Sequence, residues 1–406
     1  MSKQGEERRE SKKRKASPTP ALKMKQITLE ACVEKAKVWD ANNDKTKRMD
    51  RKIAEMLVMD DLPFSHVEDI GFVRLMKEAV PSYPLRQRKY YRDIICEKMY
   101  GCVKAKVSDA ISTVKDSTKL AFTTDEWSDT QSGVSLLSLT SHAVDKDFQR
   151  QSYVLCAEPL TERHTGVYLS EVFNSLLDKW SLSPDDVHCV MRDAGANMKK
   201  ALFLSGVNNT NCTSHQLHLT VKHGLTSEES VTGVISKCRS IATHFNHSTM
   251  AQEELKKIQV RINAPQLSVM QDVPTRWNST LQMMIRMKDL NESLCLYASS
   301  SEKIKPLTNQ DNDILTSCIT VLQPFEDITK KMSKNSASIS DVIPLVTTLK
   351  RMLASSAEDS QGIEVMRNTI LTEINKRFEF AEKNDLYAIS TFFGSNIRLG
   401  HTPKFE

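Results

Sequence analysis

The sequence has few of the residues that break regular structure, and it has no long apolar run. Only 12 of its 406 residues are glycine and 13 are proline, and these low counts favour long helices over tight turns. No apolar run approaches the ~18 residues that cross a bilayer, and residues 1–26 are polar, so neither a membrane span nor a signal peptide is expected. The 9 cysteines are scattered and odd in number, which argues against a disulfide framework and for a reducing compartment.

The basic excess of the sequence lies at its N-terminus. Residues 1–26 hold nine Lys or Arg and three Glu, a net charge of +6, which leaves −1 of the total +5 for the other residues. This composition predicts a disordered basic tail. Its densest part, Lys12, Lys13, Arg14 and Lys15, resembles a nuclear-import signal, although a solvated run of charge has the same composition. The expected location is the nucleus.

Residues 27–115 are expected to form a helical region of a DNA-binding kind. Apolar residues recur there at helical spacing, and Arg86, Arg88, Lys89 and Arg92 lie among two tyrosines. Basic residues interleaved with aromatic ones suit a phosphate backbone. A solvated helix face with two half-buried tyrosines would give the same pattern, so both interpretations stay open.

Two apolar runs within residues 116–243 each end in a carboxylate. Asp125 follows the run that begins at Lys119, and Asp193 follows the run that begins at Val187. The order strand, strand, strand, helix, strand, helix predicts a mixed sheet in which the first and fourth strands are neighbours. Open α/β sheets place their chemistry at the carboxyl ends of such strands, and two carboxylates there suit Mg²⁺. The alternative is that each aspartate caps a turn.

Cys212, His215 and His218 lie close together at the start of a predicted helix. A structural zinc site needs four ligands, and no second pair with matching spacing occurs in the sequence. We therefore expect these side chains to pack and form hydrogen bonds, and we expect no zinc site. Residues 244–385 are predicted to be helical throughout, and residues 386–406 a C-terminal tail.

Six segments carry a resemblance to a known family. They are residues 62–72, 123–127, 164–166, 192–198, 212–219 and 272–280. Together, and in this order, they resemble the hAT-superfamily transposases, in the branch of zinc finger BED domain-containing proteins. The resemblance implies a fold of the α/β plus α class: a ribonuclease H-like mixed-sheet core, an N-terminal helical region that contacts DNA, and a large all-helical insertion.

The resemblance also implies roles for individual residues. Asp125 and Asp193 match the first two acids of an Asp-Asp-Glu triad, whose two metal ions catalyse phosphodiester transfer. His215 matches a histidine near that site. Trp277, with Arg276 beside it, resembles a tryptophan that stacks on a displaced base, for which a flat indole is suited.

Two departures from the family pattern shape the functional prediction. The sequence contains no Cys-x-x-Cys, which a BED finger requires, and no match to the C-terminal segment that carries the third acid. The sequence therefore predicts a nuclear, transposase-derived DNA-binding protein without transposase activity, acting in transcription or chromatin. The alternatives are an active transposase seen as a fragment, and a protein-interaction scaffold. A homo-oligomer formed through the helical regions is a further expectation.

Overall fold

The computed structural model describes most of the chain outside its two ends. The described residues are 38–116, 118–129, 131–301, 303–355 and 362–398. The predicted basic tail and its import signal at Lys12 to Lys15 lie outside them. The chain divides into two compact units, Met1–Ser112 and Thr113–Glu406, and each is described by itself.

The first unit is helical. Its main helices are α1 (Asp44–Met59), α2 (Ile70–Ala79), α3 (Arg88–Asp93) and α4 (Tyr100–Lys115), the last of which runs into the second unit. The side chain of Asn43 caps α1 by accepting from the N–H of Lys45, as a short polar residue at this position commonly does. A small core around Leu57 and Tyr91 is formed by buried side chains that include those of α1 and α3, and partly buried side chains of α2 pack against it.

The second unit contains a mixed sheet of five strands among its described residues. The strands are β1 (Leu120–Ser128), β2 (Ser135–Val144), β3 (Arg150–Pro159), β4 (Val187–Arg192) and β5 (Asn209–Asn211). Their order across the sheet is β3-β2-β1-β4-β5. The first three strands are antiparallel neighbours, whereas β4 is parallel to both β1 and β5. The prediction that the first and fourth strands are neighbours is confirmed.

Two helices lie between the strands of the sheet in sequence. They are α5 (Gly166–Asp178), between β3 and β4, and α6 (Ala196–Leu204), between β4 and β5. The two helices pack closely at Gly166, where an added Cβ would lie 2.8 Å from side-chain carbons of Lys200. Only glycine leaves room for this contact.

A helical layer follows β5. It comprises α7 (Thr213–Thr226), α8 (Glu229–Asn246), α9 (Thr249–Arg261), α10 (Trp277–Ser300), α11 (Asn309–Met332), α12 (Val342–Ser355), α13 (Glu364–Phe378) and α14 (Asp385–Arg398). Helix α13 packs against α7 at Gly224, where an added Cβ would lie 2.3 Å from Ile370. No described helix is long and apolar enough to cross a membrane.

The end of the described chain differs from the prediction of a tail. Residues 385–398 form the helix α14, and the hydroxyl groups of Tyr387 and Thr210 are 2.5 Å apart in a buried hydrogen bond. The indication of order was present in the sequence, because Tyr387 and its apolar neighbours have helical spacing. This contact brings the last described helix back to the edge strand β5.

Candidate metal and nucleic-acid site

The register of the sheet sets the positions of the two predicted acids. The parallel ladder between β1 and β4 pairs Phe122 with Val190 and Thr123 with Met191. Asp125 and Asp193 each lie two residues beyond this last pair, Asp125 still within β1 and Asp193 directly after β4, so they lie side by side where the parallel pairing ends. Adjacent strands are about 5 Å apart, so the two carboxylates can converge on one cation.

The electrostatic state of Asp125 reflects this proximity. Partial burial and the negative charge of Asp193 raise the pKa of Asp125, the charge of His215 opposes them, and Glu126 adds a smaller increase. A negative charge nearby disfavours the ionised form of a carboxyl group. A divalent cation between the carboxylates would relieve this repulsion, so the arrangement suits a hard cation such as Mg²⁺.

Asp193 also caps a turn, as the alternative interpretation of the sequence predicts. Its Oδ1 accepts the N–H of Gly195 at 3.0 Å, which closes the turn between β4 and α6. An added Cβ at Gly195 would lie 3.0 Å from the same oxygen, so a larger residue there would press on the carboxylate. The turn thus holds Asp193 in place through one of its oxygens.

A buried arginine lies directly before Asp193. Arg192 is 4% exposed and donates from Nε to Asn209 at 3.0 Å and from a terminal nitrogen to Asn211 at 2.8 Å. Burial lowers the pKa of Arg192, and the charge of Asp193 opposes this. These contacts explain why β5 is polar, since its asparagine side chains accept hydrogen bonds from the guanidinium group of Arg192. Burial of that charge without partners would be unfavourable.

Helix α7 brings His215 towards the acids. The N–H of Cys212 donates to the carbonyl oxygen of Arg192 at 2.6 Å, which fixes the start of α7 to the end of β4. The rings of His215 and His218 are 6.0 Å apart. Across the described part of the chain, no group of three or more His, Cys, Asp or Glu side chains could hold a metal ion. A cation at Asp125 and Asp193 would complete its shell with other oxygens, such as water or phosphate.

Glu126, the neighbour of Asp125, makes a different set of contacts. Its carboxylate lies 2.5 Å from Nδ1 of His164, and the carbonyl oxygen of His164 accepts from the side chain of Asn197 at 2.7 Å. Successive residues of a strand point to opposite faces, so Glu126 does not join Asp125. These contacts fix the segment before α5 to the first turn of α6.

The four basic residues predicted to bind DNA from the first unit are in unlike surroundings. Arg88 lies 3.4 Å from Glu68, and Arg92 lies 3.1 Å from Asp93. Arg86 is half-buried over the ring of Tyr90, while Lys89 is exposed. Arg86 also lies 4.0 Å from Asp50, so three of the four cations have carboxylate partners. Both earlier interpretations thus keep some support.

The tyrosines of this region form a polar network around the buried carboxylate of Asp50. The hydroxyl groups of Tyr83 and Tyr90 both donate to Asp50, and Tyr83 lies 2.6 Å from Tyr91. Burial raises the pKa of Tyr91 to about 12. The network fixes the segment that carries the basic residues to α1.

Trp277 corrects an expectation. Its side chain is 3% exposed and belongs to the core of the helical layer, so its indole is not accessible to a displaced base. Trp277 is the first residue of α10, and Leu281 and Met284, four and seven positions later, are buried with it. This spacing is that of a core-facing stripe. Arg276, directly before it, is exposed.

The segment around Trp277 contains an ion pair that the sequence did not predict. Asp272, whose side chain is fully buried, accepts two hydrogen bonds from Arg239 at 2.7 and 3.0 Å and one from Thr280 at 2.9 Å. Burial alone would raise the pKa of Asp272, but these hydrogen bonds and the charge of Arg239 hold it below its ordinary value. The pair joins the start of α10 to α8 and is structural.

Comparison with known proteins agrees with the resemblance noted in the sequence. A family model described as the ZBED1 RNase-like helical domain matches residues 210–321. Human zinc finger BED domain-containing protein 4 is 24% identical over 371 residues, which are 88% of this chain and 32% of that protein. The putative AC9 transposase of Zea mays is 28% identical over 308 residues, 68% of this chain and 35% of that protein.

The chain is also similar to an insect transposase. The Hobo transposase of Drosophila melanogaster is 23% identical over 354 residues, 83% of this chain and 51% of that protein. The chain thus spans between about a third and a half of the length of these relatives.

Proposed function

We propose that this chain is a hAT-derived protein of the zinc finger BED type that binds DNA in the nucleus and regulates transcription or chromatin without cutting DNA itself. The observation that carries the proposal is the pair of Asp125 and Asp193, side by side where the parallel pairing of β1 and β4 ends. Two carboxylates can hold a cation against a phosphate group, and this favours an inherited nucleic-acid site.

The architecture that we propose is a ribonuclease H-like core with a helical insertion at residues 244–385. The order β1-β2-β3-α5-β4-α6-β5-α7 supports the core. The contact of Tyr387 with Thr210 supports the insertion, because the chain leaves the sheet after β5 and returns to that strand at α14. We keep the domain limits that the sequence predicts, except that the helix α14 occupies the first part of the segment predicted as a C-terminal tail.

The absence of cleavage is proposed from the surroundings of the remaining acids. A two-metal centre needs a further oxygen ligand to fix its second ion. Glu373, the acid of α13 that faces α7, lies 2.7 Å from Arg377 and 3.3 Å from His223. Burial would raise the pKa of Glu373, but these cations hold it below its ordinary value. Glu373 is therefore engaged by Arg377 within α13 and by His223 of α7.

The second candidate function is that of an active transposase, to which this chain would contribute a part. The pair of Asp125 and Asp193 is also compatible with it, since metal-dependent phosphodiester transfer uses carboxylates that hold divalent cations. The names of the maize and fly relatives point to the same activity for those proteins.

The experiment that tests the proposal measures binding and cleavage in one reaction. Labelled duplex DNA carrying terminal repeats of related elements is incubated with the protein and Mg²⁺ or Mn²⁺, with Asp193→Ala as the control. We expect retarded DNA and no cleavage product. Metal-dependent cleavage that disappears in the Asp193→Ala variant would replace the proposal with the active enzyme.

Nuclear location is proposed from the basic cluster of Lys12 to Lys15. Replacing these four residues by alanine in a fluorescently tagged protein is expected to move it from the nucleus to the cytoplasm. Unchanged nuclear accumulation would show that the cluster is not an import signal.

A further inference from the structure

We propose that Arg163, Lys199 and Lys200 form a cationic rim that binds the phosphate backbone of DNA beside the two aspartates. The inference rests on the proposed DNA binding and names a surface for it that the sequence did not indicate. The three residues come from two segments, the turn before α5 and the first half of α6, which the sequence separates by more than thirty positions.

Two contacts hold these segments together. The side chain of Asn197 donates to the carbonyl oxygen of His164, the residue directly after Arg163. The aliphatic stem of Lys200 packs on Gly166, at the start of α5. Asn197 and Lys200 are three positions apart in α6 and so share one face of the helix. That face is the one turned towards α5.

The two lysines of the rim lie near Asp193 because α6 begins directly after the turn that contains Asp193. Asp193 directly follows β4, its side chain accepts a hydrogen bond from the N–H of Gly195, and α6 begins at Ala196. Lys199 and Lys200 are therefore within two turns of helix from Asp193. A duplex whose phosphate approached a cation at Asp125 and Asp193 would extend across this side of the sheet edge.

The three cations are available for a ligand. All three are exposed, and within the described residues none has a carboxylate within 4.0 Å. Lys179, on the same layer of helices, shows the contrast: it lies 2.8 Å from Glu158. Cations without counter-charges on one rim favour a polyanion, because each phosphate contact releases condensed counterions.

The partner to which we commit is duplex DNA, bound through its backbone and without sequence preference from this rim. Lysines and arginines that contact phosphate fix the position of a protein on the duplex but do not determine the base sequence. Specificity would have to come from elsewhere in the protein.

The test is the salt dependence of DNA binding. Fluorescence anisotropy of a labelled 30-base-pair duplex measures the affinity at several NaCl concentrations. The double variant Lys199→Ala/Lys200→Ala is compared with the double variant Lys256→Ala/Lys257→Ala. The control removes the same charge from two consecutive, exposed lysines of α9. It therefore corrects for the change in net charge alone.

We expect the slope of log affinity against log salt to become shallower by about 1.8 in the rim variant, since each phosphate contact contributes about 0.9. The affinity near 0.1 M salt should fall by about tenfold or more. Adding Arg163→Ala should remove a further contact. The control variant should keep the slope of the wild type.

Two failures are distinguishable. If the wild type binds and the rim variant keeps both slope and affinity, or if the control loses as much as the rim variant, the rim is wrong while the proposed DNA binding stands. If the wild type does not bind the duplex under any salt condition, the proposed function and the rim both fall.

Discussion

Asp125 and Asp272 both lie in segments that the sequence associates with function, yet their surroundings are opposite. Asp272 is enclosed by Arg239 and Thr280, and its pKa is held below the ordinary value. Asp125 is partly buried and has the negative charge of Asp193 beside it, and both raise its pKa. An aspartate with satisfied partners stabilises the fold, whereas one held against a like charge is poised for a cation. The contrast separates a structural motif from a candidate site.

The largest effect is expected at Asp272. Replacing it by alanine leaves Arg239 without its partner and should lower the free energy of unfolding by about 2–4 kcal/mol, less than for a fully buried pair because Arg239 is partly exposed. Urea unfolding at pH 7 measures the loss. Asp289→Ala, at an exposed position of α10, is the control and should cost little.

The pH dependence of this loss follows from the direction of the pKa shift. A lowered folded-state pKa contributes stability above the unfolded value of about 3.9 and loses it as the pH falls through the folded value. The difference between wild type and Asp272→Ala should therefore narrow on acidification below pH 4. A difference that stayed constant to low pH would remove the ion pair from the explanation.

Trp277 should show the next largest effect, on stability and not on DNA binding. Trp277→Phe leaves a small cavity in the core of the helical layer and should cost about 1–3 kcal/mol, less than the ~3–5 kcal/mol for truncation to alanine. Anisotropy with a duplex should give an unchanged affinity. A variant of normal stability that loses DNA affinity would restore the base-stacking role that the resemblance implied.

The smallest effect is expected at Asp125. A raised folded-state pKa means that ionisation of Asp125 costs stability above that pKa, a penalty that vanishes below about pH 3.9. Asp125→Asn should therefore raise Tm at pH 7 by about 1 °C, a small gain because the site is open to water. Differential scanning fluorimetry in EDTA measures it. A lower Tm for the variant would show that Asp125 is held by favourable contacts.

Patterns in the sequence predicted the strands that carry the two acids, but they did not predict the short strand β5. The apolar runs of β1 and β4 end in their acids, and the pattern of elements between them predicted their adjacency. The strand β5 was missed because Asn209–Asn211 is three polar residues long and shows no strand period. It is ordered by pairing with β4 and by binding Arg192.

The helical layer shows a second limit. Arg239 and Asp272 are 33 positions apart, and no spacing rule joins them before α8 and α10 are packed. For Trp277 the signal existed, because its apolar neighbours recur at helical spacing. The expectation of an exposed indole came from the resemblance, and the buried position of Trp277 in this chain overrides it.

The most direct test of the central contrast is a Mn²⁺ titration that follows the electron paramagnetic resonance signal of the free ion. Wild type and Asp289→Asn are compared with Asp125→Asn and Asp193→Asn, all at pH 7. The arrangement of the two acids predicts one class of bound Mn²⁺ in the first two proteins and affinity weakened by about tenfold or more in the last two, since each loses an oxygen anion from the ion. Equal Mn²⁺ affinity in all four proteins would contradict the assignment of Asp125 and Asp193 as a cation site.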